Sequence, residues 1–293
     1  AAWQMAQCAA QMLGDRLTAG VVVTKYDHSK GEIPRCTVYE GGHPVPDENS
    51  FRGTRAAMDL VQNLTAEDTV VFLVSGGGSA LFESPLVPGG DLARLTKDLL
   101  ACGADIVEMN TLRKRLSAVK GGKFVQLCAP AQVYAIVLSD ILGDPLDMIA
   151  SGPAYPDSST REDAWAAVEK YNLSLTDEMK ALLDVETPKQ LDNVETVITG
   201  SVRELCAAAA QACRQLGYEP TVLTDRLCCQ AKEAGSFLAS IAKSHEDSDH
   251  ALAFLAGGET VVQLTGSGLG GRNQELALAA APGIAGMKDT VVF

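Results

Sequence analysis

An α/β fold in two domains is what this sequence predicts, and three observations predict it. Short runs rich in Val, Ile and Thr alternate with longer segments of helical period. Glycine clusters punctuate that alternation, at Gly41-Gly42, Gly76-Gly77-Gly78 and Gly121-Gly122. After a polar stretch at residues 184–193, the best linker in the chain, the alternation starts again.

The elements follow in order. Residues 1–17 read as the body of a helix, and residues 21–25 as a strand. A strand at 36–39 ends at Gly41-Gly42, and a helix over 48–63 leads to the strand 69–74. Helices near 91–101 and over 105–119 come next. The second stops at Gly121-Gly122, a C-cap signal. A strand covers 133–139. Residues 140–156, dense in Gly, Pro, Asp and Ser, are loop, and 161–183 read as one polar helical segment.

The second set runs strand 196–199, helix 202–216, strand 221–224 and helix 229–243. A hairpin of 251–256 with 261–264, turning through Gly257-Gly258-Glu259-Thr260, is expected to bring antiparallel character. A helix over 273–281 closes the series. Alternating βα units imply a mostly parallel sheet with helices on both faces. The expectation is a Rossmann-like domain at 1–193, a smaller mixed α/β domain at 194–293, and a cleft between them. The chain begins inside a helix and stops at Val291-Val292-Phe293, inside what reads as a strand. Further material is therefore expected beyond both ends.

Composition narrows the function classes. A length of 293 residues suffices for two domains, and 46% hydrophobic with 21% charged residues is ordinary for a globular protein. A formal net charge of −13 argues against nucleic acid and anionic membrane as partners. No apolar run approaches the ~20 residues that span a bilayer. Eight scattered cysteines without a Cys-x-x-Cys read as reduced thiols of a cytoplasmic protein. The four histidines are too dispersed for a zinc pattern.

Four segments carry candidate chemistry. Ser75-Gly76-Gly77-Gly78-Ser79 follows the apolar run Val70–Val74 directly. Three glycines clear the side chains from a strand's carboxyl end, so backbone N–H groups can converge on an anion and the two serines can add hydroxyls. A tight turn alone is the plainer reading. Arg113, Lys114, Arg115, Lys120 and Lys123 place five cations in eleven residues, with Ser117 among them. Such a run is by default a solvated face, but Lys120 at a helix end before a strand can meet a polyphosphate. Asp140, Asp144 and Asp147 in a Gly/Pro loop after a strand suit magnesium or a base on a substrate hydroxyl, and also suit capping.

The fourth segment, Gly266-Ser267-Gly268-Leu269-Gly270-Gly271, formally matches Gly-x-Gly-x-x-Gly. A dinucleotide site also needs an acid at the end of the next strand, and Asp289 precedes that strand. The alternative is a loop presenting Arg272 to a phosphate or carboxylate, with Glu259 orienting it.

Taken together and in order, these segments resemble the class II glycerate kinases, the family with a C-terminal MOFRL domain. The matching pieces are Gly41-Gly42-His43-Pro44-Val45-Pro46-Asp47, Ser75 to Leu81, Asn110 to Ser117, Lys120-Gly121-Gly122, Ser139-Asp140 to Asp144-Pro145, Ile149 to Pro153, Gly257 to Thr260 and Gly270 to Glu275. The resemblance covers essentially the whole chain. It implies phosphorylation of D-glycerate by ATP with Mg2+, to 2-phosphoglycerate, in a cleft between two α/β domains. It implies catalytic roles for Asp140 and Arg272, and places Ser75, Gly76, Gly77, Gly78, Ser79 and Lys120 at the nucleotide. Ser117, Glu259 and Asn273 are assigned to the substrate and Asp144 to the metal. The family's Gly-Lys-Ala-Ala lysine would fall just before Ala1, and a second catalytic aspartate after Phe293. Alternatives are an NAD(P)-dependent hydroxypyruvate reductase and a non-catalytic anion-binding protein. A homodimer is left open as the assembly.

Overall fold

A computed structural model describes residues 1–139, 146–263 and 270–293. Helix α1 (Ala2–Leu13) opens the chain, followed by strands β1 (Gly20–Lys25) and β2 (Cys36–Gly41) and helix α2 (Glu48–Leu60). Strand β3 (Thr69–Val74) leads into the single turn α3 (Gly78–Leu81) and helices α4 (Gly89–Ala101), α5 (Ile106–Arg115) and α6 (Lys123–Cys128). Strand β4 (Gln132–Leu138), helices α7 (Arg161–Lys170) and α8 (Asp177–Leu183) and strand β5 (Val194–Gly200) come next. Helix α9 (Val202–Gln215), strand β6 (Glu219–Leu227), helix α10 (Ala231–Ser244), strand β7 (Leu252–Gly258) and helix α11 (Arg272–Ile284) complete it. The order is α/β, as the sequence predicts. The chain divides into two compact units, one built from residues before Gly200 and the other from Gly200–Phe293.

In the first unit β1 pairs in parallel with β2, and β3 with β4 from Thr69↔Gln132 to Val74↔Val137. Strand β5 joins that second sheet beside β4, in the order β3-β4-β5, instead of opening the second set of elements. The parallel register brings the carboxyl ends of β3 and β4 side by side, so the glycine-rich loop starts where open α/β sheets hold their ligands. Phe72, Phe82 and Phe124 lock that end, with ring centroids 4.9–5.4 Å apart. A second core of Leu95, Leu99, Leu112, Leu116, Met179 and Leu183 joins α4, α5, α7 and α8.

Local chemistry sets the element ends. Asp47 caps α2, and Asp105 with Glu108 forms a capping box on α5. The segment 161–183 is two helices because Asn172 turns into the left-handed region (φ 48°) and Thr176 then caps α8. The helix expected over 105–119 stops at Arg115, since the Lys123 ammonium takes the carbonyls of Lys114 (3.1 Å) and Arg115 (3.2 Å).

In the second unit β6 and β7 are parallel, from Glu219↔Leu252 to Leu227↔Gly258. The expected hairpin over 251–264 is not formed. Gly257 and Gly258 belong to the strand, and beyond them Val261 bridges Gln230 in parallel. These glycines serve close approach, not turning. A Cβ on Gly258 would stand 2.1 Å from the Leu227 carbonyl oxygen, and one on Gly257 would stand 2.4 Å from Cys206 Sγ. Leu264 lies outside the described residues.

Candidate functional site

The glycine loop is built by what surrounds it. Gly77 has φ 86°, a left-handed conformation that suits glycine, and a Cβ there would lie 3.0 Å from the His43 ring. A Cβ on Gly78 would lie 2.5 Å from that of Ala150. Two neighbours therefore press on the loop, and only bare backbone fits. Gly77→Ala is expected to cost about 1–2 kcal/mol through the left-handed strain alone, read as a lower melting temperature.

Ser79 is the anchored end of the loop. Its carbonyl oxygen accepts from Lys120 Nζ (2.9 Å) and Arg113 Nη2 (3.2 Å), and its hydroxyl lies 3.2 Å from that of Ser151. Lys120 also donates to the Phe82 carbonyl (3.1 Å) and pairs with Glu83 at 3.5 Å. Lys120 and Glu83 are wholly buried, and among the described residues the Glu83 carboxylate accepts no hydrogen bond within normal distance. Burial, with the Arg113 charge adding to it and Glu83 opposing, pushes the Lys120 ammonium down to about 8.

The cation run is thus not a solvated face. Lys114, Arg115 and Lys120 are at most 1% exposed. Lys114 pairs with Asp157 at 2.9 Å and Asp147 at 3.4 Å, and Arg115 with Asp157 at 3.8 Å and Glu186 at 3.6 Å. Burial, helped by the Arg115 charge, holds the Lys123 ammonium at about 8, and it caps three carbonyls of residues 114–117. Long cationic side chains here close helix ends from inside.

Lys120 Nζ lies at the foot of the loop, against the carbonyls of Ser79 and Phe82 and the Glu83 carboxylate. Ser117 is fully buried, and its hydroxyl accepts from the Val119 N–H (3.4 Å). Asp140 and Asp144 lie outside the described residues. Asp147, their neighbour in sequence, accepts from Ser158 Oγ (2.6 Å) besides pairing with Lys114.

In the second unit Arg272 opens α11. Its Nη1 donates to Glu259 Oε1 and to the Thr260 carbonyl (3.1 Å). Glu259 stands just past the carboxyl end of β7, fixed by its N–H to the Leu227 carbonyl (2.9 Å). Arg272 and Glu259 are about half exposed, at 46% and 50%. Among the described residues both bonds use Nη1, leaving Nε and Nη2 to address a carboxylate or phosphate. Asn273, one residue on, is exposed.

Sequence reading missed Asp157, the hub of the buried pairs, and the partners Asn110 and Ser151. A usable signal existed for Asp157: cations packed between two apolar helical stretches need a buried counter-charge. Among the described residues no three acid, His or Cys side chains gather as a metal site, and no helix is long and apolar enough to cross a membrane.

Comparison with known proteins supplies the family. Residues 1–184 match the family described as "Domain of unknown function (DUF4147)", and residues 252–293 match the MOFRL family. A D-glycerate 2-kinase of Thermotoga maritima is 50% identical over 100% of this chain and 72% of its own length. A crystal structure of a Thermotoga maritima glycerate kinase has a TM-score of 0.91 at 50% identity, covering 98% of this chain and 70% of that one. A relative in Agrobacterium vitis, provisionally named a hydroxypyruvate reductase, is 38% identical over 92% of this chain and 64% of its own length. The chain spans roughly two thirds of the length of these relatives.

Proposed function

Since this chain belongs to the glycerate kinase family that pairs a DUF4147 domain with a MOFRL domain, we propose that its full-length protein transfers the γ-phosphoryl group of ATP to D-glycerate, giving 2-phosphoglycerate. The observation that carries this reading is the bare Gly77–Gly78 backbone at the carboxyl end of β3, pinned through Ser79 by two cations. Backbone N–H groups with no side chains in front of them suit phosphate oxygens. In-line phosphoryl transfer asks mainly for positioning and neutralisation of charge. Arg272, held from one side by Glu259, would neutralise the substrate carboxylate or the moving phosphoryl group.

Asp140 would orient or deprotonate the attacking hydroxyl. Asp140 and Asp144 are also the proposed protein ligands of magnesium, which would offset phosphate charge when bound. A soluble, cytoplasmic protein handling small metabolites suits the net charge of −13 and the eight free thiols.

The test is coupled ADP release by the full-length protein with D-glycerate, its enantiomer and hydroxypyruvate. ADP formed with D-glycerate is the expected result. The name of the Agrobacterium relative favours a second reading, hydroxypyruvate reduction. NADH oxidation with hydroxypyruvate, and no ADP with glycerate, would establish that one in its place.

A further inference from the structure

A hydrogen-bond chain runs from the interior of the first unit out to the glycine loop. Asn110 Oδ1 on α5 accepts from the Ser151 hydroxyl at 3.0 Å, and the Ser151 and Ser79 hydroxyls are 3.2 Å apart. Asn110 and Ser151 are buried, at 3% and 0% exposed, whereas Ser79 is partly exposed. Among these three, solvent and ligands reach Ser79.

Counting protons fixes the polarity of the chain. The Asn110 amide nitrogen faces Met148 Sδ at 3.5 Å, so its oxygen is the atom turned to Ser151. An amide oxygen only accepts, and Ser151 has a single proton, which goes there. Ser151 Oγ then has only lone pairs for Ser79, and their contact takes the Ser79 proton. Ser79 Oγ is left with lone pairs toward its accessible side. A phosphate oxygen finds no donor in that hydroxyl, but a ligand hydroxyl finds an acceptor.

The backbone holds this arrangement against its own preference. Ala150 (φ 53°) and Ser151 (φ 62°) are consecutive non-glycine residues in the left-handed region, where such strain clusters at functional sites. The Gly121 N–H holds the Ser151 carbonyl at 3.1 Å, and the Ala150 methyl packs where Gly78 leaves room.

We propose that the Ser79 hydroxyl accepts a hydrogen bond from a hydroxyl of the polyol acid that is phosphorylated, and that Ser151 and Asn110 are positioning residues that set its polarity. The backbone of the same loop remains the partner of the nucleotide phosphates. This assignment rests on the kinase reading above.

The experiment is steady-state kinetics of the full-length protein, varying D-glycerate and ATP separately, for Ser79→Ala, Ser151→Ala, Ser151→Gly and the double variant Ser79→Ala/Ser151→Ala. Each single change is expected to lower kcat/KM for D-glycerate about tenfold while KM for ATP stays within about twofold. The double variant is expected to be no worse than the singles, because Ser151 acts through Ser79. Ser151→Gly removes the hydroxyl yet relieves the left-handed strain. A kinetic defect in Ser151→Gly with a melting temperature no lower than that of wild type separates a lost bond from a lost fold. A raised KM for ATP in place of the glycerate effect, additive losses in the double variant, or wild-type kinetics in the singles would overturn the assignment. A wild-type protein that turns over no hydroxy acid defeats the kinase reading, and this assignment falls with it.

Discussion

Asp157→Asn is expected to destabilise the first unit by about 3–5 kcal/mol, the cost of leaving buried cations without their counter-charge. Asp157 lies wholly inside, 2.9 Å from Lys114 and 3.8 Å from Arg115. It also accepts from Thr187 Oγ1 at 2.7 Å and from the Ser159 N–H at 3.0 Å. Asparagine preserves the shape and removes the charge. Asp147 remains beside Lys114 but at 3.4 Å, partly solvated, and replaces little of it. For a unit of this size the loss corresponds to a fall of about 6–20 °C in melting temperature.

The pH dependence of that loss has a definite sign. Burial works against ionisation of Asp157, but the Lys114 charge and the bonds from Lys114, Thr187 and Ser159 outweigh it, so its pKa lies below the ordinary value. A depressed carboxylate stabilises the fold above its unfolded pKa, near 4, and loses that contribution as pH falls through the lower folded value. Melts of wild type and variant from pH 8 to 3 should therefore run parallel above about pH 5 and converge in acid. Pairing the change with Lys114→Met should recover part of the stability, since both charges then leave together. An Asp157→Asn variant within 1 kcal/mol of wild type at pH 7 would remove Asp157 as the hub.

The parallel sheet and the glycine loop were legible because their signals are local. Strand β3 coincides with the expected 69–74, and the loop starts where its apolar run ends. The pairing of Arg272 with Glu259, expected from the sequence, is formed although the hairpin expected to carry Glu259 is not. What the sequence hid is non-local. The cation run reads as solvated because its partners, Asp157 and Glu186, are contributed by loops more than forty residues away. The hairpin failed because Gly257-Gly258 has the same letters whether glycine turns a chain or lets two backbones approach, and the neighbour that decides at Gly258, Leu227, is thirty-one residues upstream. Ser151 hid among turn residues. Its role depends on a left-handed backbone that composition does not encode.

Arg272→Ala in the full-length protein is expected to cost about 2–4 kcal/mol of transition-state stabilisation, or roughly 30- to 1000-fold in kcat/KM for D-glycerate. The side chain is half exposed and its ion pair with Glu259 is solvated, so stability should change by less than about 1 kcal/mol. A large kinetic loss with an unchanged melt is what separates a group acting on the reacting atoms from one that holds the fold. Lysine should rescue little. Its point charge can replace the bond to Glu259, but not the fork of Nε and Nη2 that remains for a planar anion. Glu259→Gln should fall between, because it keeps an oxygen for Nη1 and removes the charge that draws the guanidinium to that side. If Arg272 neutralises the moving phosphoryl group, the loss should appear in kcat, and if it holds the ground-state carboxylate, in KM. Turnover by Arg272→Ala within threefold of wild type would take Arg272 out of the chemistry and leave its pair with Glu259 as a clasp between β7 and α11.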